Sequence, residues 1–175
     1  MRGHMHLTSQ ILPAGAYRFD LHRSSVSFTT RHMFGMGEVV GTLSLEGGDL
    51  FVADSPEQSR VTAQAAAATF DTGSRQRDKQ VKSRKFLDAA AYPTLGFVSD
   101  SITAENQQWI VRGLLTVRGE PVPVAFAITH VQVGEADARI KAEARIDRYA
   151  HGVTKMKGMA ARHLDVVVDA WLQRS

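Results

Sequence analysis

The chain has 175 residues, no cysteine, 43% hydrophobic and 22% charged residues, and a formal net charge of +3. Those figures are ordinary for a globular protein and leave room for a sizeable core without cross-links, while excluding disulfides, thiolate metal sites and a cysteine nucleophile. No run approaches the ~18 apolar residues that span a bilayer as a helix, and the basic pI of about 9.4 comes without a zinc-finger, RNP or basic-zipper pattern that would point to nucleic acid.

Residues 1–16 carry little pattern and read as a flexible segment, partly a remnant of expression, ahead of a single domain over 17–175. The start, Met1 to Leu7, lacks the apolar centre of a signal peptide. The chain therefore reads as cytoplasmic, or as periplasmic or secreted where a leader has been removed. From Tyr17 the pattern becomes that of half-buried strands. Tyr17, Phe19 and Leu21 alternate with Arg18, Asp20 and His22, and Val26 to Thr30 continues after a turn at Arg23-Ser24. Arg31 to Gly37 breaks the alternation with two glycines and two methionines, Val39 to Leu45 is extended again, and Glu46-Gly-Gly-Asp49 reads as a turn. Val61 to Phe70 is a long, alanine-rich strand.

One stretch then reads like a helix. Thr72 or Ser74 offers an N-terminal cap, and Arg75, Arg77, Lys79, Lys82, Arg84 and Lys85 surround a narrow apolar stripe at Val81 and Phe86-Leu87. Tyr92-Pro93 ends the run, because proline lacks an amide hydrogen and pushes its predecessor toward extended conformations. The basic face reads as a solvated helix surface, with contact to an anionic membrane as the alternative.

Beyond Pro93 the period-2 pattern resumes. Thr94–Thr103 and Trp109–Val117 flank a turn and predict a hairpin. Val122 to Ile128, Ile140 to Ile146 and Leu164 to Leu172 supply further strands. Eight or nine strands joined mainly by short turns predict an antiparallel barrel or sandwich, with the helix lying across an opening. The inward sets of Val61–Phe70 and Ile140–Ile146 are small. An eight-stranded barrel either fills its interior or holds one small ligand, so two readings stand: a cavity, or small faces meeting Phe28, Phe97 and Phe126.

Chemical motifs are sparse. The seven histidines form no H-E-x-x-H pattern, and the single H-x-H pair, His4 and His6, falls in the N-terminal segment, so no metal site is expected. There is no G-x-S-x-G, phosphate-cradling glycine loop or dinucleotide fingerprint. His32 reads as facing a cavity or capping a turn. Arg77 and Asp78 read as structural polar residues that hold the helix to the barrel through separate bonds, ahead of a head-group anchor or a surface pair. Met33, Met36, Met156 and Met159 lie in irregular segments, where methionine adapts to a flexible tail or fills gaps.

Four stations along the chain resemble the YceI-like proteins. Asp20, Ser24, Phe28, Arg31, His32 and Met33 carry the first. Asp71-Thr-Gly, Arg77-Asp78, Ser83, Phe86, Asp88, Tyr92-Pro93 and Phe97 carry the second. Gly113 to Gly119 and Ile146-Asp147-Arg148 with Gly152 complete the set, in order, over residues 17 to 173. The resemblance implies an all-β, lipocalin-like extended antiparallel β-barrel of about eight strands with one inserted α-helix. It implies that the barrel binds, sequesters or carries a polyisoprenoid lipid, in some members an isoprenoid quinone, with no cofactor required and with a homodimer as the assembly. The family often has histidine where this chain has Arg23, which bears on head-group preference if that position meets the ligand.

The tunnel candidates are then Phe28, Val40, Phe70, Phe97, Leu114, Phe126, Ile146 and Val168, with His32 at the cavity and Phe86 and Leu87 from the helix. A one-residue register slip would turn any of these strands' choices outward. Two other classes compete with the carrier. One is an enzyme acting on a small lipid through His32, Arg77 and Asp78. The other is a stress-related interaction protein with a filled barrel.

Overall fold

The computed structural model describes residues 12–30, 37–157 and 161–175. Among the described residues, nine strands form one closed antiparallel sheet: β1 (Gly15–Phe19), β2 (Ser25–Thr30), β3 (Val39–Val52), β4 (Arg60–Asp71), β5 (Thr94–Glu105), β6 (Gln108–Val117), β7 (Glu120–Val133), β8 (Asp137–Asp147) and β9 (His163–Arg174). Strands β1 and β2 each pair with β3 on one side and β9 on the other, so together they fill one strand position. Pairing of β3 with β4 closes the ring, which gives an eight-position barrel.

The break between β1 and β2 has a local cause. The Asp20 carboxylate accepts the amides of His22 and Arg23 at 3.1 and 3.4 Å, and side-chain bonds of this kind compete with a ladder. Leu21, expected to continue the buried face of the first strand, is instead exposed in this turn.

Two further expectations change. Glu46–Asp49 is not a turn: β3 runs through it unbroken, with a register shift between Leu45 and Gly47. The two glycines are there for close approach, since a Cβ on Gly47 would lie 2.7 Å from Gln64 Oε1 and one on Gly48 2.6 Å from the Phe19 ring. The helix α1 covers only Arg75–Val81, capped by Ser74, whose hydroxyl accepts the Arg77 amide at 3.4 Å. The chain does not stay helical to Tyr92. It turns sharply, with the Leu87 amide bonded to the Val81 carbonyl at 2.9 Å and Asp88 at φ 49°. Residues five apart on a straight helix point about 140° from each other, so only the turn lets Val81 and Phe86 both enter the barrel.

The hairpin turns are tight. Asn106-Gln107 and Arg118-Gly119 join their strands with positive φ at both positions, the two-residue geometry that matches strand twist. With those turns fixed, the register of β5, β6 and β7 follows. At the end of the barrel away from α1, Leu12, Tyr17, Val52, Ala138, Ala170 and Leu172 form a closed apolar cluster. Tyr17 donates its hydroxyl to the Pro13 carbonyl at 2.6 Å. Ordered packing thus reaches Leu12, upstream of the expected boundary at residue 17.

Candidate functional site

Strand alternation points one set of side chains from each strand into the barrel, and several of these are too small to meet across it. The space they leave is an apolar cavity in two chambers. The chamber beneath α1 has a volume of about 210 Å³, and a second of about 130 Å³ lies toward the far end. Ala63, Phe97, Phe126 and Val168 belong to the walls of both. Phe97 and Phe126 meet edge to face at the junction, with centroids 5.2 Å apart and planes at 79°. Alanine at 63, 65 and 142 is what leaves the walls apart. Close-packed interiors hold few voids larger than a water molecule, so chambers of this size set this barrel apart from a filled core.

The near chamber is roofed by α1 and the turns after it. Phe86, Val81 and Val153 are buried there with Phe28 and Phe70, which stack at 4.9 Å. Leu87 joins the same wall. Gln80 Nε2 donates to Met156 Sδ at 3.3 Å and ties α1 to the segment between β8 and β9. Arg75, Lys79, Arg84 and Lys85 remain exposed to water. The base of the helix is held by Asp78, which is buried and accepts both the amide and the hydroxyl of Thr72, at 3.0 and 2.6 Å. Arg77 donates to the same hydroxyl at 3.3 Å. The two residues make separate bonds to Thr72, and neither lies in the cavity wall.

Polar residues of the near wall are Gln64 on β4 and two from the β8–β9 segment. Arg148 is buried, and its guanidinium donates to the carbonyls of Ala161, Val153 and Lys155 at 2.7–2.8 Å. Burial lowers its pKa, while Tyr149 and Asp147 pull the other way. His151 is 2% exposed, lines the chamber, and leaves Nδ1 buried with no hydrogen-bond partner among the described residues. Burial pushes its pKa down, favouring the neutral ring, and Asp147 opposes that shift. Outside the wall, Arg162 clasps Asp147 through two bonds at 3.0 and 2.8 Å.

Of the residues picked from the sequence, Phe28, Phe70, Phe86, Leu87, Phe97, Phe126, Ile146 and Val168 line the cavity. Val40 and Leu114 do not: they are 55% and 41% exposed on the outer surface. In β3 the inward set is Val39, Gly41, Leu43 and Leu45, and in β6 it includes Leu115 and Val117, so each choice was off by one residue. His32, Met33, Met36 and Met159 lie outside the described residues. Met156 packs at the edge of the lid cluster. Arg23 lines neither chamber; it is bound to Asp137 at 2.8 Å and lies 3.8 Å over the Trp171 ring. His151 and Val153 were missed, since they sit in a segment with no period to reveal a face.

A closed, eight-position antiparallel barrel with an apolar interior and a helical lid is the lipocalin-like arrangement expected of a small-ligand binder. The chain belongs to the YceI-like family, whose YceI-like domain matches residues 17–171. A UPF0312 protein of Azotobacter vinelandii is 27% identical over 150 residues, covering 82% of this chain and 78% of that one. A UPF0312 protein of Photorhabdus laumondii is also 27% identical, but that match spans only 59% of its length. Among solved structures, BcnA of Burkholderia cenocepacia superposes with a TM-score of 0.76 at 25% identity over 87% of this chain and 98% of its own. A polyisoprenoid binding domain from Saccharophagus degradans gives 0.69 at 10% identity over 91% and 98%.

Proposed function

We propose that this protein binds a polyisoprenoid lipid, an isoprenoid quinone or a related chain, and sequesters or carries it with the tail threaded through both chambers. The observation that carries this reading is the pair of neighbouring apolar chambers that share the wall residues Ala63, Phe97, Phe126 and Val168, which together suit a long, narrow, flexible occupant better than a compact one. The likeness in fold to a domain described as polyisoprenoid binding supports it. Each buried CH₂ contributes ~0.8 kcal/mol, so one five-carbon unit is worth about 4 kcal/mol. A few such units offset the association cost of roughly 4–15 kcal/mol without any reactive group. Binding energy of this kind asks for a shaped apolar wall, and the wall is what the strands supply.

The exposed basic residues of the lid, Arg75, Lys79, Arg84 and Lys85, would face an anionic membrane while a lipid is exchanged. Their attraction adds about 1 kcal/mol per charge near such a surface. The test is native mass spectrometry of the purified protein before and after incubation with vesicles containing polyprenol, followed by organic extraction of the bound fraction. The expected result is a stoichiometric adduct that extracts unchanged. A barrel that stays empty overturns the reading, and conversion of the lipid during incubation would replace it with an enzyme.

A further inference from the structure

We propose that the lid end of the barrel is a docking surface for an anionic phospholipid membrane, and that it straddles the seam between α1 and the β8–β9 segment. The inference rests on the lipid-binding reading and deepens it by naming the surface across which the lipid is exchanged. The connections at this end, residues 72–93, 118–119 and 148–162, hold eleven lysines and arginines against two acids, Asp78 and Asp88. Asp78 is buried. The connections at the far end, residues 53–59, 106–107 and 134–136, carry Asp54, Glu57 and Glu135 and no lysine or arginine. These two sets of connections differ in sign, so an anionic plane attracts one and repels the other.

Position makes this charge more than a solvated face. Arg75, Lys79, Arg84 and Lys85 are exposed on the lid, and Lys155 and Lys157 are exposed on the segment beside it. None of the six forms an ion pair among the described residues. The two groups meet where Gln80 Nε2 donates to Met156 Sδ at 3.3 Å. Lys79 precedes the donor, and Lys155 and Lys157 flank the acceptor. That seam roofs the near chamber, whose wall takes Val81, Phe86 and Leu87 from one side and His151 and Val153 from the other. Tyr92, at the end of the lid connection, is exposed, and its ring would lie 3.1 Å from a Cβ on Gly119. Tyrosine is favoured at the boundary between lipid and water, so this corner extends the same surface. Nucleic acid would also attract these cations, but the sequence holds no recognisable module for it. A bilayer, in contrast, dissolves the cargo that the chamber beneath would accept.

The experiment measures partitioning of the whole protein onto vesicles of phosphatidylcholine alone, and of phosphatidylcholine mixed with anionic phosphatidylglycerol, both free of isoprenoid. Binding to the anionic vesicles only is expected, and it should fall as added salt shortens the reach of exposed charges. One basic group near such a surface is worth about fivefold, so Lys155→Gln with Lys157→Gln should weaken binding about thirtyfold. Lys79→Gln with Arg84→Gln should do the same from the other side of the seam, and serves where the first pair folds poorly by thermal unfolding. Arg60→Gln with Arg112→Gln removes equal charge away from the lid and should change binding little. Equal loss from all three pairs would overturn the surface and leave only net charge. Equal binding to both kinds of vesicle would overturn it too, as would tighter binding to a random-sequence RNA oligonucleotide than to anionic vesicles. Adding polyprenol to the vesicles then tests the reading beneath. Docking without uptake sinks the lipid carrier and leaves the surface standing, whereas uptake indifferent to phosphatidylglycerol sinks the surface and leaves the carrier.

Discussion

At one end of the barrel the connections are short, and Leu12, Tyr17, Val52 and Leu172 close the interior with tightly packed carbon. The two-residue turn at Asn106-Gln107 and the short link between β7 and β8 lie there too. At the other end the chain spends residues 72–93 and 148–162 on long connections, and among the described residues these carry the lid and Arg148, the charged group in the cavity wall. The far end is a plug built from strand ends, so its stability is that of the sheet. The near end is a cover held by a few side-chain bonds: Gln80 to Met156, Asp78 and Arg77 to Thr72, and Arg162 to Asp147. Regions with few buried contacts and local bonds open at lower free energy than the sheet beneath them. One barrel thus has a floor of strand ends and a roof of helix and turns.

The sharpest way to break that contrast is to weaken the floor. Leu172 is 1% exposed, and Leu172→Ala should cost about 3 kcal/mol of global stability in denaturant titration. A loss under about 1 kcal/mol would mean that the plug is as loosely built as the lid. Opening the roof should act on retention and spare the fold. Phe86→Asp places a charge where the lid cluster needs carbon, and is expected to speed release of a bound polyprenol about tenfold, or about 1.4 kcal/mol. The far-ultraviolet signature of the sheet should persist. Unchanged release would show that α1 does not close the chamber.

The smallest effect concerns the clasp beside the roof. The Asp147 carboxyl is drawn from 3.8 down to about 2, chiefly by its bonds to Arg162 and then by the Tyr149 amide, against the pull of burial. Its folded value lies below its unfolded one, so the clasp contributes fully above about pH 4 and is lost as the pH falls toward 2. Carboxyl NMR of Arg162→Ala should show Asp147 titrating nearer its ordinary value. No change would assign the shift to the backbone amide.

Most strands were legible because period-2 alternation survives wherever one face is wet and the other dry; Ile140–Ile146 reads directly. Legibility failed where both neighbours are apolar. Val39-Val40 and Leu114-Leu115 offer two plausible inward sets, and only the pairing partners across the sheet decide between them. Gly47-Gly48 looked like a turn because glycine marks both bends and tight contacts, and the second use depends on the Phe19 and Gln64 side chains that approach it. The lid was half legible: its cap and its apolar tail were readable, but the length of α1 was not, because the need to aim Val81 and Phe86 at one cavity is tertiary. His151 left no mark in the sequence.

The edge-to-face contact of Phe97 with Phe126 has a consequence for measurement. Each ring belongs to the walls of both chambers, so a substitution at either position would reshape both spaces at once, and its effect on binding could not be assigned to one chamber alone.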